Sequence, residues 1–145
     1  MTVPMPLSSS ECRDLLESGV VGRVAMATPV GPRIVPLNYR VRGNSIVFRT
    51  APYSELSTYG WDTDLAFEVD DYDRESHSAW SVVALGRAHA LDDPDEVQRT
   101  RLEHELWPWA SGSRNVFVEL PWRELTGVRL GDDWTKSATA RRRSG

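Results

Sequence analysis

Residues 33–50 read RIVPLNYRVRGNSIVFRT. Arg33, Val35, Leu37, Tyr39 and Val41 alternate with Ile34, Pro36, Asn38 and Arg40, the period of a β-strand. Gly43-Asn44 interrupts the run, and residues 45–50 read as a second strand. Pro36 cannot donate to a ladder, so it marks a strand edge or a bulge where backbone is free to meet another group. Arg49 and Thr50, ending the second strand, offer a charged fork and a hydroxyl, which suit an anion. Backbone for a flat ring beside an Arg-Thr end for a phosphate points to a nucleotide-like ligand.

A chain of 145 residues is long enough for one core and short for two domains. A formal net charge of −4 argues against a nucleic-acid partner, whose footprint is usually basic. No apolar run approaches the roughly 20 residues of a membrane span. The opening MTVPMPLSSSE has neither a basic nor an apolar leader segment, so a cytoplasmic location is expected. The single cysteine, Cys12, excludes an intramolecular disulfide and a Cys-rich metal site. Tryptophans at 61, 80, 107, 109, 122 and 134 suit a core, an interface or a ring-binding cleft equally.

Before the deciding stretch, Ser8 and Glu11 form a capping box, with Leu7 and Cys12 as the hydrophobic staple. Cys12, Leu15 and Leu16 share one face, and Gly19 is placed to stop the helix. Cys12 therefore reads as a small core residue, not a catalytic thiol. Residues 20–28 predict a strand, with Pro29-Val30-Gly31-Pro32 as its turn. Ser54 to Tyr59 is a short helical segment closed by Gly60. Leu65, Phe67 and Val69 mark another half-buried strand, and Asp70-Asp71-Tyr72-Asp73 reads as a solvated turn. Residues 79–91, AWSVVALGRAHAL, predict a long strand bent at Gly86. Asp93-Pro94-Asp95-Glu96 opens a helix that runs to about Leu106 and is broken by Pro108. Residues 115–120 and 124–130 are the last strands, separated by Pro121-Trp122. The end, KSATARRRSG, reads as a disordered tail in which Arg141-Arg142-Arg143 are solvated. Many short antiparallel strands with tight turns imply a small barrel, because closure removes exposed edges. The order is not βαβ, and neither GxGxxG nor a P-loop lysine motif is present.

Classical catalytic sets are absent. His77, His89 and His104 fall in a loop, a strand and a charged helix, none in a metal spacing. No serine lies in a GxSxG elbow. The carboxylates sit in turns and helix starts, where capping accounts for them. No catalytic acid, base or metal ligand is assigned.

The order of pieces resembles the pyridoxamine 5′-phosphate oxidase-like, flavin-binding split barrels. The matching pieces are LSSSECRDLLESGVVGRVA, RIVPLNY, IVFRT with its short helix, LAFEVDDYD, AWSVVALGRAHAL, the PWA of Pro108-Trp109-Ala110, and LTGVRL. The resemblance implies a mainly β fold: an antiparallel split β-barrel of six to seven strands with two or three short helices, over residues 7–134. Residues 135–145 fall outside it. It further implies a homodimer with FMN in a cleft at the interface, serving oxidation or reduction of a small organic substrate. Carried over, backbone around Val35, Pro36, Leu37 and Asn38 would meet the isoalloxazine ring. Arg49 and Thr50 would hold the phosphate, with Ser54 at the short helix start. Trp80 and Ser81 would approach the ring, with Trp109 and Arg129 contributed by the partner chain.

The chain departs from the family at one point. Where a lysine commonly follows the FRT motif, this sequence has Glu55 in APYSEL. A carboxylate beside a phosphate dianion is unfavourable by about 1 kcal/mol or more when partly desolvated. The alternatives are therefore a deazaflavin such as F420, a barrel that sequesters a flavin or haem without turnover, or a cofactor-free structural dimer.

Overall fold

The structure, a computed structural model, describes residues 4–51, 53–91, 93, 95, 97–99 and 116–131. Along the chain come β1 (Met5–Pro6), α1 (Ser9–Ser18), β2 (Val21–Thr28), β3 (Gly31–Arg42), β4 (Ser45–Thr50), α2 (Glu55–Tyr59), β5 (Asp64–Asp73), β6 (Ser78–Arg87), β7 (His89–Ala90) and β8 (Val116–Leu130). Every strand ladder is antiparallel. The order β8-β4-β3-β2-β5-β6 returns to β8, so the strands close into a barrel-like ring.

Side-chain alternation decides which face each strand turns inward. Val24 and Met26, Leu65, Phe67 and Val69, and Trp80, Val82 and Ala84 are buried, while the residues between them are half-buried or exposed. At the centre Tyr39 meets Phe67 edge-on at 4.8 Å, and Phe48 lies nearly parallel to Phe67 at 6.2 Å. Such pairs add about 0.5–1.5 kcal/mol beyond the area they bury.

The helix α1 contributes Cys12, Leu15 and Leu16 to the same core. Ser8 caps it: its hydroxyl accepts the Glu11 N–H at 3.2 Å and donates to the Glu11 carboxylate at 3.0 Å. Gly19 ends it as expected but for a different reason. Its φ of −84° is ordinary, whereas a Cβ there would lie 2.3 Å from the Tyr39 hydroxyl. That hydroxyl donates to the Leu16 carbonyl at the helix end, which also accepts the Gly19 N–H at 3.4 Å.

Two expectations need correction. Residues 115–120 and 124–130 are not separate strands; β8 runs 15 residues through Pro121-Trp122. Its first half pairs with β4 and its second half with β6. Pro121 ends the β4 ladder opposite Ser45, and the β6 register shifts beside it, between Leu85 and Gly86. A missing N–H is harmless at such a corner. Secondly, Asp70-Asp71-Tyr72-Asp73 is not a turn but the end of β5, paired with residues 78–81 of β6. The turn follows it, where Asp73 accepts the Glu75 N–H at 2.9 Å and His77 takes φ +51°.

The single strand expected over residues 79–91 is divided at Ala88 into β6 and β7, and a register shift beside Gly86 falls where the bend was expected. The Asp93 cap is also present, with its carboxylate accepting the Asp95 N–H at 3.0 Å. Positions 94, 96 and 100–106 of that helix, Trp107, Pro108, Trp109, Trp134 and the Arg141-Arg142-Arg143 tail lie outside the described residues. Among the described residues no helix is long and apolar enough to cross a membrane.

Two tests address this packing. A Cβ on Gly86 would sit 2.1 Å from the Pro121 carbonyl oxygen, a backbone atom that cannot swing aside. Gly86→Ala should therefore lower stability by about 1–3 kcal/mol in urea unfolding; an unshifted midpoint would contradict the corner. Burial raises the Cys12 thiol pKa, with Glu11 adding to it. A thiol reagent at pH 8 should leave Cys12 unlabelled until denaturant is added, and immediate labelling of native protein would refute that burial.

Candidate functional site

The β3–β4 ladder stops early. Its register runs from Arg42↔Ser45 to Tyr39↔Phe48, and the next pair in line, Asn38 with Arg49, is not made. The Tyr39 N–H donates to Val20 at 3.1 Å, so odd-numbered amides of β3 point toward β2 and even-numbered ones point away. Beyond Tyr39 the outward side of β3 has no partner strand among the described residues. Asn38 and Arg49 thus face one another's strand with backbone N–H and C=O groups unspent on the sheet. Pro32 and Pro36 both fall on even positions, where losing an N–H weakens no ladder. The sequence expectation of an edge at Pro36 is met.

Side chains around this open seam divide by face. Asn38 and Pro36 point outward with Arg49, which shares its face with Val47 and its register partner Phe117. Burial alone lowers the Arg49 guanidinium pKa, and among the described residues no carboxylate pairs with it. A desolvated cation without a counter-ion favours an anion. Thr50 follows on the opposite face, where its hydroxyl lies 2.7 Å from that of Ser54. Ser54 is in turn the cap of α2, accepting the Ser57 N–H at 3.1 Å.

Glu55, at the position where a lysine was expected, turns toward β3 and accepts from Arg33 Nε at 3.3 Å. This pair bridges the far end of the seam. The pair thus ties β3 to the start of α2 across the seam. Arg33 had no assigned role in the sequence, because nothing local signals a contact between a strand and a helix 22 residues later.

The remaining candidates sit elsewhere. Trp80 and Arg129 are register partners on β6 and β8, with Ser81 beside them opposite Val128. In either direction round the ring two strands separate β3 from β6. The Trp80 side chain packs into the core. Its neighbours line a cavity of about 370 Å³ with Asp70, Asp71, Tyr72, Ala79, Ser81, Val128 and Leu130. One chain therefore sets Pro36, Asn38 and Arg49 on one face of the seam, turns Val35 and Leu37 to the core, pairs Thr50 with Ser54 at the end of β4, and holds Trp80, Ser81 and Arg129 on the other side of the ring. Trp109 is outside the described residues. His89 meets Glu119 at 3.4 Å, and no metal-binding cluster occurs among the described residues.

A sequence profile of the pyridoxamine 5′-phosphate oxidase family matches residues 8–129. An uncharacterized Mycobacterium tuberculosis protein is 30% identical over 132 residues, 88% of this chain and 86% of its own. A solved FAD binding protein from Mycobacterium smegmatis is 30% identical, with a TM-score of 0.73 covering 90% of this chain and 98% of that one. An FAD-binding protein from Mesorhizobium loti has the same fold at 22% identity, with a TM-score of 0.72 over 91% of this chain and 100% of its own. The matched span takes in both walls of the open seam and the strands that close the ring: the chain belongs to the pyridoxamine 5′-phosphate oxidase family.

Proposed function

We propose that the chain binds a flavin nucleotide, FMN or the FMN half of FAD, in the seam between β3 and β4 and serves as an oxidoreductase for a small organic substrate. The observation that carries this reading is the unmade Asn38–Arg49 pair. It leaves backbone donors and acceptors in a row beside a desolvated guanidinium, and a flavin ring edge needs such donors and acceptors. The solved FAD binding protein at 30% identity supports the choice of a flavin.

In this site Arg49 neutralises the phosphate, and the Thr50 hydroxyl, oriented by Ser54, donates to it. The Pro36 carbonyl and the Asn38 N–H and carbonyl hold the ring edge, while Val35 and Leu37, bonded to β2, pack against the core and keep the β3 wall rigid. A bound flavin supplies the hydride chemistry, so the protein contributes binding, orientation and hydrogen bonds. This agrees with the missing acid–base set.

A homodimer completes the arrangement. Val30 and Ile34 beside the seam are 74% and 70% exposed, and Tyr72, Val128 and Leu130 around the opposite cavity are exposed too. Apolar surface of this kind is typical of an interface. Pairing two chains through these faces would carry Trp80, Ser81 and Arg129 of one protomer to the seam of the other. The expected setting is the cytoplasm.

A second reading, a flavin-sequestering barrel without turnover, is favoured by Glu55. The carboxylate takes the expected lysine's place and occupies Arg33 as well.

Absorbance of the purified protein and fluorescence titration with FMN test the cofactor. A flavin band or saturable quenching is expected, and a colourless protein that binds no flavin would refute the proposal. Reduction of the bound flavin by NAD(P)H at a useful rate separates enzyme from sequestering barrel. Arg49→Ala should weaken FMN at least tenfold and riboflavin little, whereas equal losses would remove Arg49 from the phosphate. Glu55→Lys should tighten FMN several-fold by reversing a charge; unchanged affinity would place Glu55 away from the anion.

A further inference from the structure

The cavity of about 370 Å³ on the far side of the ring owes its shape to strand register. Two rows of directly opposed residues cross three strands there: Asp70, Ser81 and Val128 in one, Tyr72, Ala79 and Leu130 in the next. All six lie on the outer face, alternating with the buried Val69, Trp80 and Val82. In the middle, β6 contributes only the small side chains of Ser81 and Ala79, while β5 and β8 flank it with larger ones. The result is a groove along β6 with a floor of small residues and two unlike walls. Its volume falls within the roughly 300–1,000 Å³ of small-ligand pockets.

One wall is apolar, made by the exposed Val128 and Leu130. The other is acidic and aromatic. Asp70 accepts from Arg23, which also serves Glu68 at 2.6 Å. Two carboxylates thus share one guanidinium, and one negative charge is left over. Burial raises the Glu68 carboxyl pKa despite the Arg23 bond, and the charge of Asp70 pushes it the same way. Tyr72, 58% exposed, stands two residues along the same wall, and the face of such a ring attracts a cation. Among the described residues no lysine or arginine lines the groove.

An anion would meet a carboxylate here, and a neutral apolar molecule would gain nothing from Asp70. A positive nitrogen gains from both Asp70 and Tyr72, while an apolar body attached to it covers Val128 and Leu130. We propose that this groove binds a small organic cation, an ammonium group carried on an apolar body, and that such a compound is the substrate of the flavin site. The substrate role rests on the flavin reading and on the chain pairing that brings Ser81 to the partner's seam; binding of the cation itself requires neither.

The test is titration of the full chain at about pH 7 with benzylamine, benzyl alcohol and benzoate, which put a positive, a neutral and a negative group on one ring. Amide shifts of residues 70–72 and 79–81 in NMR report the site. Benzylamine should bind at least tenfold more tightly than benzyl alcohol, with benzoate weakest. Asp70→Asn should weaken benzylamine about tenfold and benzyl alcohol less than twofold. Tyr72→Leu, which breaks no ion pair, should weaken benzylamine two- to fivefold. Equal binding of the three compounds, or no shift at these amides, would overturn the cation site while leaving the flavin site standing. With FMN bound, benzylamine should shift the flavin absorbance, and an unshifted spectrum would overturn the substrate role. Failure to bind any flavin would overturn the flavin reading and the substrate role together, whatever the benzylamine titration gives.

Discussion

The double pairing of β8 is the constraint on which the molecule depends. One strand of 15 residues must lie against β4 at one end and β6 at the other. It can do so only by bending, and the bend requires Pro121 and Gly86 in near contact. Arg123, opposite the register shift, forks onto Asp64 of β5 at 2.6 and 3.1 Å. Closure at this corner removes the edges of β4 and β6 that would otherwise need covering. It also seals the interior around Phe48 and Phe67.

Because the ring is held shut there, it can afford to part elsewhere. The β3–β4 hairpin is secured at its tip, where Gly43 takes φ +59° in a two-residue turn. Arg13 of α1 donates to the Asn44 side chain at 2.8 Å and to the Gly43 carbonyl, with its guanidinium 5.7 Å from the centre of the Trp122 ring. With the tip clamped, the two strands diverge beyond Tyr39 and Phe48 without loosening the core. The separation exposes backbone rather than apolar side chains, since Tyr39 and Phe48 remain buried. A ligand cleft is thus gained where the hydrophobic cost is small.

Much of this was legible in the sequence because it is local. The alternation in RIVPLNYRVR, the β4 limits at Ser45 and Thr50, the Ser8 capping box and the Gly86 bend each depend on neighbours along the chain. Pro36 announced an open edge for a reason that is purely covalent. The failures were tertiary. Pro121-Trp122 looked like a break because a proline usually interrupts a strand; only the register shift in β6 makes it a corner. Asp70 to Asp73 looked like a turn because four polar residues lack an apolar alternation, yet pairing with residues 78–81 keeps them extended. The separation of Trp80 from Asn38 round the ring follows from strand order, which no motif encodes.

The one-sided bonding of β3 has a consequence for how its backbone exchanges hydrogen with solvent. The amides of Arg33, Val35 and Leu37 are committed to β2, while those of Ile34 and Asn38 point into the seam, and the prolines at 32 and 36 contribute no amide at all. Neighbouring residues in a single regular strand therefore differ in protection, slow and fast in alternation. The two fast amides form a built-in reporter: anything seated along the seam slows them, and the interleaved slow set provides the reference within the same strand.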